Sequence, residues 1–238
     1  MNALLFSALG FIGLHLLVSG TRLRDRLVGL LGEPVYLGLF ALSSLGALIA
    51  MVWSYNGVVD GPENVTYWAA PAGLLHSGGI ILLIAFLLGV IGLLSPTPTA
   101  AGGEKLLADG AAPAAKGIVR ITRHPFLWGT AIWAGFHMAA NGDRASQLFF
   151  GTFLIVALVG TRAIDAKRRR ALGAQWDAFA AKTSNLPFAA VLSGRTGLGL
   201  GEIGLWRIAV ALALWAGLFY GHFWLFSVSP VPGGWTLY

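Results

Sequence analysis

Six stretches of apolar residues, separated by short polar connections, dominate the pattern of this chain. They lie near residues 3–20, 35–54, 72–94, 125–140, 146–165 and 204–226. Each reaches or approaches the roughly 20 residues that an α-helix needs to cross the core of a bilayer. None shows the alternation of apolar and polar residues that membrane barrel strands require, so helices are expected. The pattern predicts an all-α fold: a polytopic transmembrane helical bundle with six spans.

Composition supports a membrane protein. Of the 238 residues, 56% are hydrophobic and only 11% are charged, whereas about 25% of residues are charged in typical soluble domains. A soluble domain of this length cannot bury so much apolar surface in one core. The chain is therefore predicted to have the lipid bilayer as its main partner.

The positive charges predict the orientation of the spans. Of the 16 lysines and arginines, only Arg144 falls in the connections after the second and fourth spans or at the termini, and the others lie in or beside the connections that follow the first, third and fifth spans. Because basic loops stay in the cytoplasm, both the N- and the C-terminus are predicted to lie outside the cytoplasm. Every basic cluster adjoins a span, so nucleic acid is not an expected partner. The start of the chain lacks a basic region before its apolar run and is expected not to be a cleaved signal.

The connections carry three further expectations. Ser95 to Gly117, rich in Pro, Ala and Gly, is predicted to be a flexible linker. Asn141 to Asp143 is predicted to be a tight turn that makes a hairpin of the fourth and fifth spans. After the fifth span, Leu172, Trp176 and Phe179 recur about one helical turn apart beside a basic run. This favours either an interfacial helix on anionic headgroups or a basic loop with anchoring aromatic residues.

Two histidines lie inside apolar stretches, His15 in the first and His137 in the fourth. An ionisable residue within a membrane span is costly and therefore points to function. Burial favours the neutral imidazole, which is the form that binds metals. The pair predicts a metal or cofactor site, with a hydrogen bond between helices as the alternative for each ring. His76, paired with His137, is a competing geometry.

Arg123 and His124 stand at the start of the fourth span, directly before Pro125. Thirteen helical residues separate His124 from His137, about 20 Å of helix axis, so one small ligand cannot bind both. We expect His124 to cap the helix start and to contact headgroups, anionic cofactor groups or substrate. His222, among aromatic residues, is expected at the outer membrane interface.

Several segments resemble the NnrU family of bacterial membrane proteins. They are FIGLHLLVSGTRLRDRLVGLLGEPVYLGLFAL, RITRHPFLWG, FHMAANGD and LGAQWDAFAAKTSNLPF, and they span roughly residues 1–190. The resemblance implies an NnrU-like membrane domain over 1–190, followed by a linker and the sixth helix over 191–238. It also implies a location in the bacterial inner membrane and a link to denitrification and nitric oxide metabolism.

The same domain resembles 15-cis-zeta-carotene isomerase, a membrane enzyme that holds haem b through two histidines. The resemblance implies that His15 and His137 are the metal ligands of a haem b. Arg22 or Arg123, at the cytoplasmic interface, would then be candidates to pair with the haem propionates. The implied ligands are nitric oxide or an apolar substrate such as a conjugated polyene, whose cis–trans isomerisation the haem would catalyse. The isomerase carries further histidines where this chain has Tyr55-Asn56 and an apolar run near Val156.

RHPFLWG and LGAQWDAF also look like the C-terminal signature of isoprenylcysteine carboxyl methyltransferases. That resemblance implies S-adenosylmethionine binding around Arg123, His124 and Trp176, although the expected carboxylate pair is reduced to Asp165. A non-catalytic scaffold or assembly factor is the third hypothesis. The chain has no cysteine, which excludes thiolate haem ligation, iron–sulfur clusters and covalently attached c-type haem.

Overall fold

The computed structural model describes residues 1–108 and 115–233, and these residues are mostly helical. The first helix, α1, continues from Ile12 into a π-helical turn, Gly13–Val18. Short 3₁₀ turns cover Gly117–Arg120 and Leu200–Glu202. The α-helices are α1 Asn2–Ile12, α2 Arg22–Leu31, α3 Glu33–Asn56, α4 Ala72–Leu94, α5 Lys105–Ala108, α6 Pro125–Ala140, α7 Arg144–Leu172, α8 Ala174–Lys182, α9 Ala189–Leu192 and α10 Leu205–Phe226.

Among the described residues, four helices, α3, α4, α7 and α10, are long and apolar enough to cross a membrane. The pair formed by Asn2–Val18 and α2 passes the same test together, although the chain bends by 80° between them. Many apolar side chains on these helices are exposed, as Trp53 is with 81% of its surface. The chain is therefore a helical membrane protein. The number of six spans stays a prediction, since α6 has only 16 residues. The orientation of the termini also stays a prediction.

The chain divides into two compact units. The first unit consists of Met1–Ala70 and Ala134–Ala163, and its helix α1 packs along α3. Its loop before α4 pairs with the connection between α6 and α7, where Asn64 donates to Asp143 Oδ1 over 2.8 Å. That carboxylate also accepts a bond from the backbone of Ser146 and so caps the start of α7. Only three residues separate α6 from α7, which confirms the predicted tight turn.

The second unit consists of Pro71–Trp133 and Ile164–Tyr238, and α4 packs against α10 in it. The Trp215 side chain on α10 donates to Gly79 O on α4 over 3.1 Å. Helix α6 approaches α4 backbone to backbone, because a Cβ added at Gly129 would lie 2.5 Å from the nitrogen of Gly89. This close contact brings the start of α6 against the protein core.

In the segment after α7, the aromatic side chains do not face outward as either expectation for this segment requires. Trp176 and Phe179 on α8 are each only 1% exposed and pack with Leu107 and Leu172 instead of facing headgroups. The reason is the connection between α4 and α6, because its short helix α5 packs on α8 and supplies Leu107 as an apolar partner.

The linker predicted over Ser95 to Gly117 is well packed where it is described. Arg168 donates to Ala100 O and pairs with Glu104, and Thr97 is buried. Residues 109–114 of this linker, and 234–238 of the predicted C-terminal segment, lie outside the described residues.

Candidate functional site

Arg123, His124 and Asp165 form a polar cluster in the second unit. Arg123 and His124 lie just before α6, and Asp165 lies on α7. The Arg123 side chain donates from Nε to both carboxylate oxygens, at 3.0 and 3.1 Å, and from Nη2 to Oδ2. His124 Nε2 lies 2.6 Å from Asp165 Oδ1. One carboxylate therefore holds two neighbouring side chains of the segment before α6.

Backbone contacts fix this segment from both sides. Thr122 Oγ1 accepts from the His124 backbone and donates to Asn185 O over 2.5 Å. The Arg123 backbone nitrogen donates to Ser184 O over 2.9 Å. Pro125 at the first position of α6 has its φ already set for a helix and needs no partner for its nitrogen. The segment is thus held in one conformation before the helix begins.

The environment of His124 keeps its ring neutral. The residue is only 2% exposed. Burial lowers the pKa of His124 below its ordinary value of 6.5, and the opposing attraction of Asp165 does not reverse this. The carboxylate can only accept, so Nε2 carries the hydrogen and Nδ1 a lone pair. Nδ1 is buried and has no hydrogen-bond partner among the described residues.

This arrangement differs from the expectation that His124 contacts headgroups, because its buried ring turns inward to Asp165. Arg123 also binds Asp165, and its expected pairing with a cofactor stays a prediction. The sequence motifs indicate Asp165 only as the remnant of a carboxylate pair and do not indicate its bonds to Arg123 and His124. The signal was present in the sequence, since an acid in a long apolar helix calls for a cationic partner.

A surface cavity of about 530 Å³ lies beside the cluster. Arg123 forms part of its wall, and the guanidinium of Arg123 lies 5.9 Å from the centre of the Trp176 ring. The structure thus brings together Arg123, His124 and Trp176, the three residues of the methyltransferase hypothesis. The lining residues are Arg123, Arg169, Asp177, Ala180, Ala181, Thr183, Ser184, Asn185 and Arg195.

His15 and His137 both belong to the first unit. His15 lies in the π-helical turn, half-buried, with its Nδ1 2.9 Å from Phe11 O. Its ring stacks on Phe11 at 4.1 Å and meets the edge of Phe40 at 5.5 Å. Short π-helical turns within α-helices are frequent at functional sites, since they displace side chains from the regular helical position.

His137 lies near the end of α6 and is also half-buried. Its ring stacks on Phe150 of α7 at 4.8 Å, with the two planes 23° apart. Asn141 donates from both its backbone and its side chain to His137 O, each over 2.9 Å. The end of α6 that carries the ring is therefore well ordered.

A continuous series of ring contacts joins the two histidines. Phe11 contacts Phe153 at 5.4 Å, Phe153 contacts Phe149 at 5.3 Å, and Phe149 contacts Phe150 at 5.1 Å. Tyr55 packs on Phe149 at 4.7 Å, and its hydroxyl lies 3.0 Å from Ser146 Oγ. The interior of the first unit is thus an aromatic, weakly polar environment with an imidazole at each end of the series.

The remaining candidates lie elsewhere. His76 is exposed on α4 of the second unit, and its pairing with His137 stays a prediction. His222 Nδ1 donates to Val228 O over 2.8 Å. Arg22 is exposed at the start of α2. Within residues 1–108 and 115–233, no three His, Asp or Glu side chains form a group suited to a metal ion.

The comparison with protein families agrees with the motifs in the sequence. No curated protein and no solved structure matches this chain. The family model described as NnrU protein matches residues 3–230, which is nearly the whole chain. The chain belongs to the NnrU family of proteins.

Proposed function

We propose that this NnrU-family membrane protein binds haem b through His15 and His137. The observation that best supports the proposal is the bond between His15 Nδ1 and Phe11 O. A carbonyl oxygen can only accept, so Nδ1 carries the hydrogen and the lone pair of the neutral ring lies on Nε2. Histidines that bind metals commonly use their second nitrogen in this way, because the bond fixes the ring and its tautomer.

The side-chain types of the first unit suit haem b, since imidazole is a common axial ligand of haem iron. Phenyl rings now stand between the two imidazoles, so a porphyrin held by both histidines requires these rings to move apart and would then have them as its apolar surroundings. The chain has no cysteine for covalent attachment. His15 and His137 would hold the iron, and their phenylalanine neighbours would exclude water from it.

A bound haem would supply an iron centre whose redox potential and access to ligands depend on axial ligation, polarity and burial. The family membership and the resemblance to zeta-carotene isomerase suggest two roles for it. The first is a role in nitric oxide metabolism and denitrification, and the second is cis–trans isomerisation of a conjugated polyene. The isomerase carries a further histidine where this chain has Tyr55-Asn56. The Tyr55 ring makes an edge contact with Phe150 at 6.2 Å, and Phe150 in turn stacks on His137. The difference at Tyr55-Asn56 favours the first role.

The proposed setting is a bacterial inner membrane with six spans and both termini outside the cytoplasm. Helix α6 would be the fourth span, and the bend between Val18 and α2 would place α2 along the cytoplasmic surface. The distribution of positive charges supports this orientation.

The test is an absorption spectrum of the full chain purified in mild detergent, oxidised and reduced. We expect a Soret band and the reduced-state bands of low-spin haem b. A His222→Ala variant is the matched control, since its imidazole already donates to Val228 O, and its spectrum should not change. A colourless protein that takes up no haem on reconstitution would contradict the proposal and would favour a scaffold function.

A second candidate is an S-adenosylmethionine-dependent methyltransferase in the second unit. The observation that favours it is the proximity of Arg123 to Trp176 beside a cavity. Calorimetric titration with S-adenosylmethionine tests it. Absence of heat at millimolar concentrations would exclude this function.

A further inference from the structure

The cavity beside α8 has a positively charged lining. It lies in the second unit, and the haem proposal for the first unit does not use it. Its lining contains three arginines and one aspartate, a net formal charge of +2. Its volume of about 530 Å³ is within the 300–1,000 Å³ that is usual for small-molecule sites.

Two of the three arginines have a carboxylate partner. Arg123 is bound to Asp165. Arg169 donates to Asp177 Oδ1 over 2.8 Å, and both of these side chains are exposed, so their pairing is weak. Arg195 differs, because no carboxylate pairs with it among the described residues. The cavity therefore contains a cation whose charge no carboxylate of the described residues neutralises.

Neutral acceptors hold the Arg195 guanidinium in place. Its Nε donates to Ser193 Oγ over 2.9 Å, and its Nη1 donates to Thr183 O over 2.8 Å and to Ala181 O over 3.2 Å. None of these bonds uses Nη2. A guanidinium fixed in this way loses little side-chain entropy on binding an anion, and its planar donors match the oxygens of phosphate.

The position of the cavity points to the membrane surface. Arg169 belongs to the last turn of α7, a helix long enough to cross a bilayer. Ends of membrane helices lie at the level of the phosphate groups of lipids, and basic pockets there bind anionic headgroups. A soluble phosphate ester that enters from the aqueous side carries the same phosphate group as a lipid headgroup.

We propose that this cavity binds a phosphate group, with Arg195 as its main contact and Arg169 as the second. The volume leaves space for the alcohol attached to the phosphate. Because Asp177 is paired with Arg169, it reduces the positive charge on that side of the cavity, so a phosphodiester or a phosphomonoester fits better than a polyphosphate.

The experiment uses the full chain in mild detergent and two probes. Inorganic phosphate is titrated calorimetrically, and phosphatidylglycerol retention is measured by native mass spectrometry against phosphatidylcholine. We expect Arg195→Gln to weaken binding of the probe about tenfold or more, because it removes a charged hydrogen bond. Arg169→Gln should weaken it less. Lys182→Gln, the same change of charge at an exposed residue outside the cavity lining, should leave it unchanged.

Arg195→Lys guards against a folding defect, since it keeps the charge and should retain part of the affinity. Retention of phosphatidylglycerol alone would assign the site to a lipid, and binding of inorganic phosphate would assign it to a soluble ester. Either result supports the proposal if Arg195→Gln weakens binding of that probe as expected. Equal losses in Arg195→Gln and Lys182→Gln, or no binding of either probe, would overturn it. Preferential binding of S-adenosylmethionine, lost in the same variants, would overturn it in favour of the methyltransferase.

Discussion

Asp165 binds the side chains of Arg123 and His124 in the segment before α6. Its contribution to stability follows from the bonds that each side chain would lose without it. The Arg123 side chain is 14% exposed and the His124 side chain is fully buried. A guanidinium that is largely shielded from water needs a negative partner, and the buried ring needs an acceptor for its Nε2 hydrogen. The carboxylate satisfies both groups at once.

Replacing Asp165 by Asn keeps the shape of the side chain but removes its charge. We expect Asp165→Asn to lower the free energy of unfolding by about 3 kcal/mol, the usual effect of breaking a shielded ion pair. Asp177→Asn is the matched control, because its pair with Arg169 is exposed and should contribute less than about 1 kcal/mol. Unfolding in mixed micelles measures both values, and equal effects of the two variants would contradict the role given to Asp165.

The sequence could predict the functional residues whose neighbours along the chain are unusual for their type. His15 and His137 stand out as histidines in apolar runs, and the structure places both in one unit. The link between His124 and Asp165 could not be predicted in the same way. These residues are 41 positions apart and meet only through tertiary packing. The same holds for the aromatic rings that lie between His15 and His137.

At the level of elements, α6 is positioned by its contact with α4. A side chain at Gly129 would meet the backbone of α4, with a Cβ 2.5 Å from Gly89 N and 2.6 Å from Ala85 O. Small residues allow such close approach between membrane helices. The position of the Arg123–His124 segment therefore depends on this glycine.

Gly129→Ala should destabilise the protein by about 1–3 kcal/mol, because the α4 and α6 backbones must separate. Gly135→Ala, in the same helix, meets no atom within 4 Å and should be neutral or slightly stabilising, since alanine favours helices. Thermal unfolding in detergent distinguishes the two. If Gly129→Ala unfolds at the same temperature as Gly135→Ala, the close contact of α4 and α6 is wrong.

Hydrophobic periodicity predicted most helices well, but not the role of α8. Apolar residues beside a basic run are typical of helices on a membrane surface, and Trp176 and Phe179 follow that pattern. Their burial depends on Leu107, which the connection after α4 supplies from far away in the sequence. Local patterns contain no information about such a partner.

For the whole molecule, the expectation to test is the orientation of the chain in the membrane. The chain contains no cysteine, so single cysteines can be introduced without other changes. Asp60→Cys, in the connection after α3, should react with an impermeant maleimide in intact cells. Lys116→Cys, in the connection after α4, should react only after permeabilisation, because basic loops stay in the cytoplasm. Both positions are exposed in the structure. The opposite pattern of labelling would reverse the proposed orientation.

The most direct test of the central claim is the haem content per chain of purified variants. We predict about one haem per chain in the wild type and in His76→Ala, and almost none in His15→Ala or His137→Ala, provided that all four proteins elute as folded species. Full haem content in His15→Ala or His137→Ala, or its loss in His76→Ala, would contradict ligation by these two histidines.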